Sequence, residues 1–217
     1  MLWRHVTVGM VSRRDVLRTT AVAGFAGVAG CGGDGGANGT TATETTSAGT
    51  TTSENGDSTM SGFAFETSAF DDGGTVPETY TCSGADVSPP LSIHGVPDDA
   101  SALALVVDDP DAPGGVFTHW LVWNLPPDTT AIAENVPGTK TLDGLGGARQ
   151  GTNDFGEVGY RGPCPPKAHG AHTYRFKLFA LDSTLDVGAG AKAGTVTGAI
   201  DDHRVATAQF TGEFDRG

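Results

Sequence analysis

Residues 159–182, GYRGPCPPKAHGAHTYRFKLFALD, constrain the fold more than any other part of the chain. Three prolines between residues 163 and 166 fix the backbone angle φ and remove three backbone donors, so this half of the stretch cannot be helical. From His172 onward the side chains alternate with a period of two, which indicates a β-strand with His172 and Tyr174 on its apolar face. The sequence therefore predicts a rigid loop that leads into a strand.

Other segments indicate further strands. Residues 102–107 are a continuous apolar run that ends at two aspartates, and residues 117–124, FTHWLVWN, are apolar on both faces, as in a central strand. Residues 206–214 alternate and predict a closing strand. Only residues 197 to about 205 have a helical pattern, with Thr197 as the N-cap. Short strands, Gly/Pro-rich loops and one late helix predict a mainly β protein, an antiparallel β-sandwich.

The chain is acidic, with 26 Asp and Glu against 13 Lys and Arg. From residue 61 onward there are 21 acidic and nine basic residues, a net charge of −12. Nucleic acids and anionic membrane surfaces require a basic patch, so neither is expected as a partner. A composition that is acidic and poor in lysine is typical of proteins that work in strong salt. An ordinary acidic surface explains it almost as well.

Residues 1–31 have the features of an export signal. Paired arginines, Arg13 and Arg14, precede an apolar run at residues 19–30, which is shorter than the ~20 residues that a membrane span needs. The arginines resemble a twin-arginine motif, and the run ends in Val-Ala-Gly-Cys31, which resembles a lipobox. The sequence predicts lipidation of Cys31, export, and anchoring to the outer face of the cytoplasmic membrane. A chance cysteine in a signal peptide is the alternative, and Met10 competes with Met1 as the start.

Residues 32–60 consist mainly of Gly, Thr, Ser and Ala, with nothing large to bury. Such a segment cannot offset the entropy cost of ordering, so we expect a disordered tether. It contains the sequon Asn38-Gly39-Thr40, which makes Asn38 a candidate glycosylation site. Residues 61–217 are then left for one folded domain.

Several polar residues of this domain lie next to predicted strands, but their spacing alone does not join them. They are Asp108, Asp109, Asp111, His119, His172 and Tyr174. Aspartates beside prolines often bind turn amides, and a strand histidine is more often part of the core. No G-x-S-x-G, H-E-x-x-H or C-x-x-C motif supports a hydrolase or zinc enzyme, so no catalytic residue, cofactor or metal is predicted. Two proline-stiffened loops, each beside a strand with an inward histidine, nevertheless favour a site.

Two cysteines remain once Cys31 is assigned to lipid. Cys82 and Cys164 both lie in turn-rich loops, and an even pair in an exported protein favours a disulfide. The alternatives are two buried free thiols, or a reactive Cys164 in the site.

Four motifs carry a resemblance to a known family. They are SPPLSI (residues 88–93), DDPDAP (108–113), THWLVWNLP (118–126) and NDFGEVGYRGPCPPKAHGAHTYRFKLFALD (153–182). In this order they resemble the phosphatidylethanolamine-binding protein family, and in particular its bacterial and archaeal branch, the Raf kinase inhibitor-like proteins. The resemblance covers about residues 63–214. Ile93 stands where many relatives have Trp, and the C-terminal helix of eukaryotic members has no clear counterpart.

The resemblance implies a Greek-key β-sandwich of two mainly antiparallel sheets, with one or two short helices and a small pocket that binds phosphate-like anions. It places ligand-binding roles on matching positions, namely Asp109, Asp111, Pro113, His119, His172 and Tyr174, with Cys164 in the loop that forms one wall. The expected function is a membrane-tethered, non-enzymatic binding protein for a small phosphate-like anion or a phosphorylated headgroup. The alternatives are an inhibitor or regulator of a partner protein, such as a protease or kinase, and a metal-dependent or acid/base hydrolase.

Overall fold

The computed structural model describes residues 62–217, which form ten strands, one α-helix and two short 3₁₀ helices. The strands are β1 Ala64–Glu66, β2 Gly74–Thr75, β3 Leu91–His94, β4 Ala102–Asp109, β5 Phe117–Leu125, β6 Ala131–Ile132, β7 Thr141–Leu142, β8 Ala148–Gln150, β9 His172–Leu181 and β10 Arg204–Phe214. The α-helix, α1, is Ala193–His203, and the 3₁₀ helices are Glu78–Tyr80 and Asp143–Leu145. The predicted mainly β fold is confirmed.

The strands form two sheets. The larger has seven strands in the order β2-β10-β9-β4-β5-β8-β7, and the smaller has three in the order β1-β3-β6. Every pairing is antiparallel except that of β2 with β10. All eight residues of β4 are buried, which agrees with its continuous apolar sequence and its central place between β5 and β9.

The core occupies both faces of the seven-stranded sheet. On one face Leu105 and Phe176 belong to the same buried cluster as Phe65 and Ile93 of the small sheet. On the other face a second cluster, built around Leu121 and Trp123, includes the helix residues Val196 and Ile200. Because both faces of β4, β5 and β9 are covered, side chains at the ends of these three strands are held by a packed core.

The helix begins and ends earlier than the sequence pattern predicts. Helix α1 is Ala193–His203 with Lys192 as its N-cap residue, so Thr197 lies inside it and donates from Oγ1 to the Ala193 carbonyl at 3.0 Å. The first turn contains no large apolar side chain before Val196, so periodicity could not reveal it. Strand β10 begins at once with Arg204, which places Val205 in a strand.

Within residues 62–217, no helix combines the length and apolar character needed to cross a membrane. The predicted signal and tether, with Cys31 and Asn38, lie outside the described residues.

Candidate functional site

The predicted site residues come from three neighbouring strands of the large sheet. Strand β4 ends at Asp109, while β5 and β9, which flank β4 antiparallel, begin at Phe117 and His172. The end of one strand therefore lies beside the beginnings of two others. The alternation in β9 puts His172 and Tyr174 on the same buried face.

Asp109 and His172 form a buried hydrogen-bonded pair. Nδ1 of His172 lies 2.8 Å from Oδ2 of Asp109, and the two side chains are 4% and 5% exposed. Because a carboxylate only accepts, Nδ1 carries the proton and Nε2 is left for a ligand. The other Asp109 oxygen accepts from the Asp111 N–H at 2.8 Å, and Asp111 accepts from the Thr173 N–H at 2.9 Å. Asp111 thus ties the loop after β4 to the start of β9.

His119 is held in the same way, but by a backbone carbonyl. Its Nδ1 donates to the Arg161 oxygen at 2.8 Å, and the Arg161 N–H donates to the His119 oxygen at 3.1 Å. Burial lowers the pKa of His119 below its usual value, although the carbonyl bond and the charge of Asp109 oppose this shift. The ring is therefore neutral at neutral pH, and its Nε2 is an acceptor.

Tyr174 adds a buried hydroxyl to this group of residues. The side chain is fully buried, and its ring stands perpendicular to that of His119 at a centroid distance of 5.2 Å. The hydroxyl lies beside the Asp109 carboxylate and the Cys164 backbone, yet forms no hydrogen bond of normal geometry within residues 62–217. Burial, and then the charge of Asp109, raise the pKa of this phenol, so it stays protonated and can donate.

These residues surround a cavity of about 260 Å³. It is lined by Asp109, Ala112, Pro113, Phe117, His119, Phe155, Cys164, Pro166 and His172. The predicted residues Asp109, Pro113, His119, Cys164 and His172 are thus brought together. Asp111 and Tyr174 are not in the lining; they lie in contact with Asp109.

One wall of the cavity is aromatic, and sequence reasoning missed its main residue, Phe155. The rings of Phe117, His119 and Phe155 meet edge-on, with centroid distances of 4.8 to 5.4 Å. Buried Asn153 shapes this loop, because its Oδ1 accepts from the Phe155 and Glu157 N–H groups at 3.1 and 3.0 Å. The quoted motif that begins NDFG contained Phe155, but nothing in its spacing distinguished that side chain from a loop residue.

The proline-rich loop also lines the cavity, with Cys164 and Pro166, and is anchored by a disulfide. Cys82 and Cys164 are bridged, with a Cα–Cα distance of 5.4 Å, and the Cys82 N–H donates to the Pro163 carbonyl at 3.1 Å. Of the three alternatives left open by the sequence, the structure contains the bridge. Gly162 is needed here, because a Cβ atom would lie only 2.1 Å from the Tyr80 carbonyl oxygen.

Asp108 does not belong to the site. Its carboxylate lies on the other face of β4, where it accepts from Arg175 Nε at 2.8 Å and from Lys177 Nζ. The period of two that places Asp109 toward the cavity necessarily turns its neighbour away.

A second cavity, of about 440 Å³, is larger but lacks this chemistry. It is lined by residues 133–137, 139 and 141–145, and its Glu134 carboxylate already accepts from the Tyr80 hydroxyl at 2.8 Å. Buried titratable groups converge on the smaller cavity, which is therefore the candidate site. Residues 62–217 contain no group of three or more His, Cys, Asp or Glu side chains placed to hold a metal ion.

Comparison with known proteins identifies the family. A family model described as "phosphatidylethanolamine-binding protein" matches residues 66–215. The chain belongs to this family. The resemblance carried by the four sequence motifs is therefore confirmed, and the fold it implied agrees with the two sheets described above.

Similar proteins occur in archaea and bacteria. A UPF0098 protein of Methanothermobacter thermautotrophicus is 49% identical over 152 residues, which are 70% of this chain and 98% of the relative. Among solved structures, a phosphatidylethanolamine-binding protein homologue from Chlamydia trachomatis is 36% identical with a TM-score of 0.64, covering 71% of this chain and 98% of that one. Escherichia coli YbcL, described as a new member of the mammalian PEBP family, is 32% identical with a TM-score of 0.66, covering 71% and 99%.

Proposed function

We propose that this chain is a binding protein that holds a small phosphate-like anion, free or as the headgroup of a larger molecule, in the cavity beside Asp109, without chemical turnover. The observation that carries the proposal is the fully buried Tyr174 hydroxyl, which has no hydrogen-bond partner within residues 62–217 and whose neighbours Asp109 and His119 line the cavity. A buried polar group without a partner costs about 1–3 kcal/mol. A ligand oxygen that accepts from this hydroxyl removes that cost.

The protonation states favour a ligand that brings its own proton. Asp109 is a carboxylate that already accepts from His172, and neutral His119 presents an acceptor at Nε2. A phosphate dianion would meet these acceptors without a proton to share. A monoanion or a monoprotonated ester can donate to His119 while it accepts from Tyr174 and from backbone N–H groups of the loops. Monoanions should therefore bind better than dianions.

The family name supports a phosphorylated headgroup as the ligand class. The phosphodiester of phosphatidylethanolamine has no P–OH group, so with that ligand the ammonium N–H of the headgroup would have to donate to His119. The cavity volume of about 260 Å³ is sufficient for a phosphate group with a small substituent. The aromatic wall of Phe117 and Phe155 would pack against the carbon atoms of that substituent.

The proposed location is the outer face of the cytoplasmic membrane, with the domain attached through lipid on Cys31. The sequence of residues 1–31 supports this placement, and a flexible tether over residues 32–60 would reach roughly 30 Å. In a host that expresses the gene, labelled fatty acid should be incorporated into the wild-type chain and not into Cys31→Ser. Equal labelling of both would contradict lipidation at Cys31.

Isothermal titration with inorganic phosphate, phosphoethanolamine and acetate tests the ligand proposal. Wild-type protein should bind phosphate or phosphoethanolamine at one saturable site. Asp109→Asn and His172→Ala should weaken this binding by about tenfold or more, because each leaves a buried polar partner unpaired. Asp98→Asn, which removes an exposed carboxylate away from the cavity, is the matched control and should bind normally. No saturable binding by the wild type would refute the proposal.

A second candidate function, an acid/base hydrolase, is favoured by one observation. The Asp109–His172 pair has the geometry of a general base oriented by a carboxylate. Hydrolysis of p-nitrophenyl phosphate that is lost in both Asp109→Asn and His172→Ala would replace binding by catalysis as the function. Binding without hydrolysis by the same preparation would favour the first proposal.

A further inference from the structure

A loop that does not line the cavity is closely connected to it. The loop contains residues 80–86 and ends at Asp86, which has a left-handed backbone with φ of 57°. Asp86 is not glycine, so this conformation is uncommon, although aspartate tolerates it better than most residues. Its carboxylate is only 19% exposed, and it points at the chain segment that supports His119.

The Asp86 carboxylate accepts a hydrogen bond from Gly162 of that segment and forms an ion pair with Arg161. Oδ1 accepts from the Gly162 N–H at 2.7 Å, and Oδ2 lies 3.0 Å from Arg161 Nε. The Arg161 carbonyl, in turn, accepts from His119 Nδ1 at 2.8 Å. The Arg161 carbonyl and the Gly162 N–H belong to one peptide unit, and in a trans peptide they point in opposite directions. By holding the N–H, Asp86 aims the carbonyl at the histidine.

We propose that Asp86 is a positioning residue of the pocket, which orients His119 through the Arg161–Gly162 peptide. Asp109 does the same for His172 by direct contact. Each histidine is then backed at Nδ1 by a carboxylate, one directly and one through a peptide, and each presents Nε2 for a ligand. The expected effect of Asp86 on phosphate affinity rests on the proposed function. Its expected effect on the tautomer of the His119 ring does not.

The physical reason is polarisation along the chain of hydrogen bonds. A carboxylate that accepts from a peptide N–H increases the negative charge on the carbonyl oxygen of the same unit, which strengthens the next hydrogen bond by about 10–30%. A stronger bond at Nδ1 stabilises the tautomer that has its proton there. The same arrangement is familiar for metal-binding histidines, whose second nitrogen is fixed by a carboxylate or a carbonyl.

The contacts between the two loops keep this arrangement in place. The Tyr160 hydroxyl donates to the Tyr80 carbonyl at 2.7 Å, and Cys82 is joined to Cys164. Gly162 lets the two backbones approach closely enough for its N–H to reach Asp86. Loop 80–86 therefore acts as a support behind the cavity wall.

The test is ¹⁵N NMR of the histidine rings in the ligand-free full chain at neutral pH, followed by titration with inorganic phosphate. In the wild type, His119 should be the tautomer protonated at Nδ1. In Asp86→Ala its ring signals should move toward a mixture of tautomers, while those of His172 stay unchanged. Phosphate affinity should fall about fivefold to tenfold, which is the range expected for the loss of one ordinary hydrogen bond, because Asp86 acts on the ligand only through His119. Asp86→Asn, which keeps an acceptor without the charge, should lie between the wild type and Asp86→Ala.

Two controls separate the peptide route from other effects. Arg161→Gln removes the ion pair but keeps the peptide, so the His119 tautomer should be retained. Asp98→Asn should change neither the ring signals nor phosphate affinity. Unaltered His119 signals in both Asp86 variants would overturn the proposal, as would equal shifts of His119 and His172. A further outcome is that the wild type fails to bind phosphate while the His119 ring signals of the Asp86 variants still change as described. In that case the proposed function fails and the role of Asp86 in positioning His119 stands.

Discussion

Removal of the Cys82–Cys164 disulfide should lower stability strongly while leaving the pocket nearly intact. The bridge closes a loop with a sequence separation of 82 residues. In the chain-entropy model, losing this restraint on the unfolded state costs about 4.5 kcal/mol at 25 °C. The 156 described residues imply an entropy of unfolding of about 0.33 kcal/mol/K, so the melting temperature should fall by about 14 °C.

The effect on ligand binding should be much smaller, because other contacts hold the same wall. The Cys82 N–H still donates to the Pro163 carbonyl, and Asp86 still binds the Gly162 N–H. In the double variant Cys82→Ser/Cys164→Ser, phosphate affinity below the melting temperature should change by less than about threefold. A large loss of stability with a small loss of affinity is the signature of a restraint that acts mainly on the unfolded chain.

Scanning calorimetry of three samples provides the measurement. These are the wild type, the wild type in reductant, and the double variant, with Cys31 unchanged in each. The last two should melt at similar temperatures, both far below the first, and mass-spectrometric mapping of the unreduced wild type should find the Cys82 and Cys164 peptides joined. A decrease of less than about 4 °C, or unlinked peptides in the wild type, would refute the reasoning.

Three further predictions concern single positions. Burial lowers the pKa of His119 in the folded state, so as the pH falls below about 6.5 the unfolded chain takes up a proton at this histidine before the folded chain does. In denaturant melts the free energy of unfolding should therefore decrease as the pH falls from about 6.5 toward the folded-state pKa. The decrease should be less steep in His119→Gln or with phosphate bound. Gly162→Ala should lower the free energy of unfolding by about 3 kcal/mol, because the added Cβ atom clashes with the Tyr80 carbonyl. Gly198→Ala adds a Cβ atom in open space on α1 and should leave that free energy unchanged or raise it by up to ~1 kcal/mol. Equal urea midpoints for the two variants would contradict this. Tyr174→Phe removes a hydroxyl that has no hydrogen-bond partner within residues 62–217, so the melting temperature should stay the same or rise. Phosphate binding, measured by titration calorimetry, should weaken severalfold. Unchanged affinity would show that the hydroxyl does not touch the ligand.

The strands that carry the site could be predicted from the sequence because their patterns are local. The period of two in β9 placed His172 and Tyr174 on one face, and the apolar run of β4 ended at the aspartates. Which strands are neighbours could not be read from spacing, because strand order is set by long-range pairing. The family resemblance supplied the convergence of these residues on one pocket, and the comparisons confirmed the family.

The parts that sequence reasoning missed depend on groups that carry no pattern. Helix α1 begins with alanine, glycine and threonine, so its first turn has no apolar periodicity. Phe155 and Asp86 lie in loops, and their roles depend on single hydrogen bonds to Asn153 and to the Gly162 N–H. Such contacts join residues far apart in the chain or within an irregular turn. The export signal, the lipid anchor and the tether stay predictions.

The division of the cavity between strands and loops also bears on how such a pocket can change its selectivity. Asp109, His119 and His172 lie on three adjacent strands that are packed on both faces, so their positions are set by the core of the domain. Phe155, Pro113 and Pro166 lie in loops at the rim. Substitutions there alter what fits into the cavity at little cost to folding. A single rigid floor can therefore serve many ligands through exchange of the rim alone.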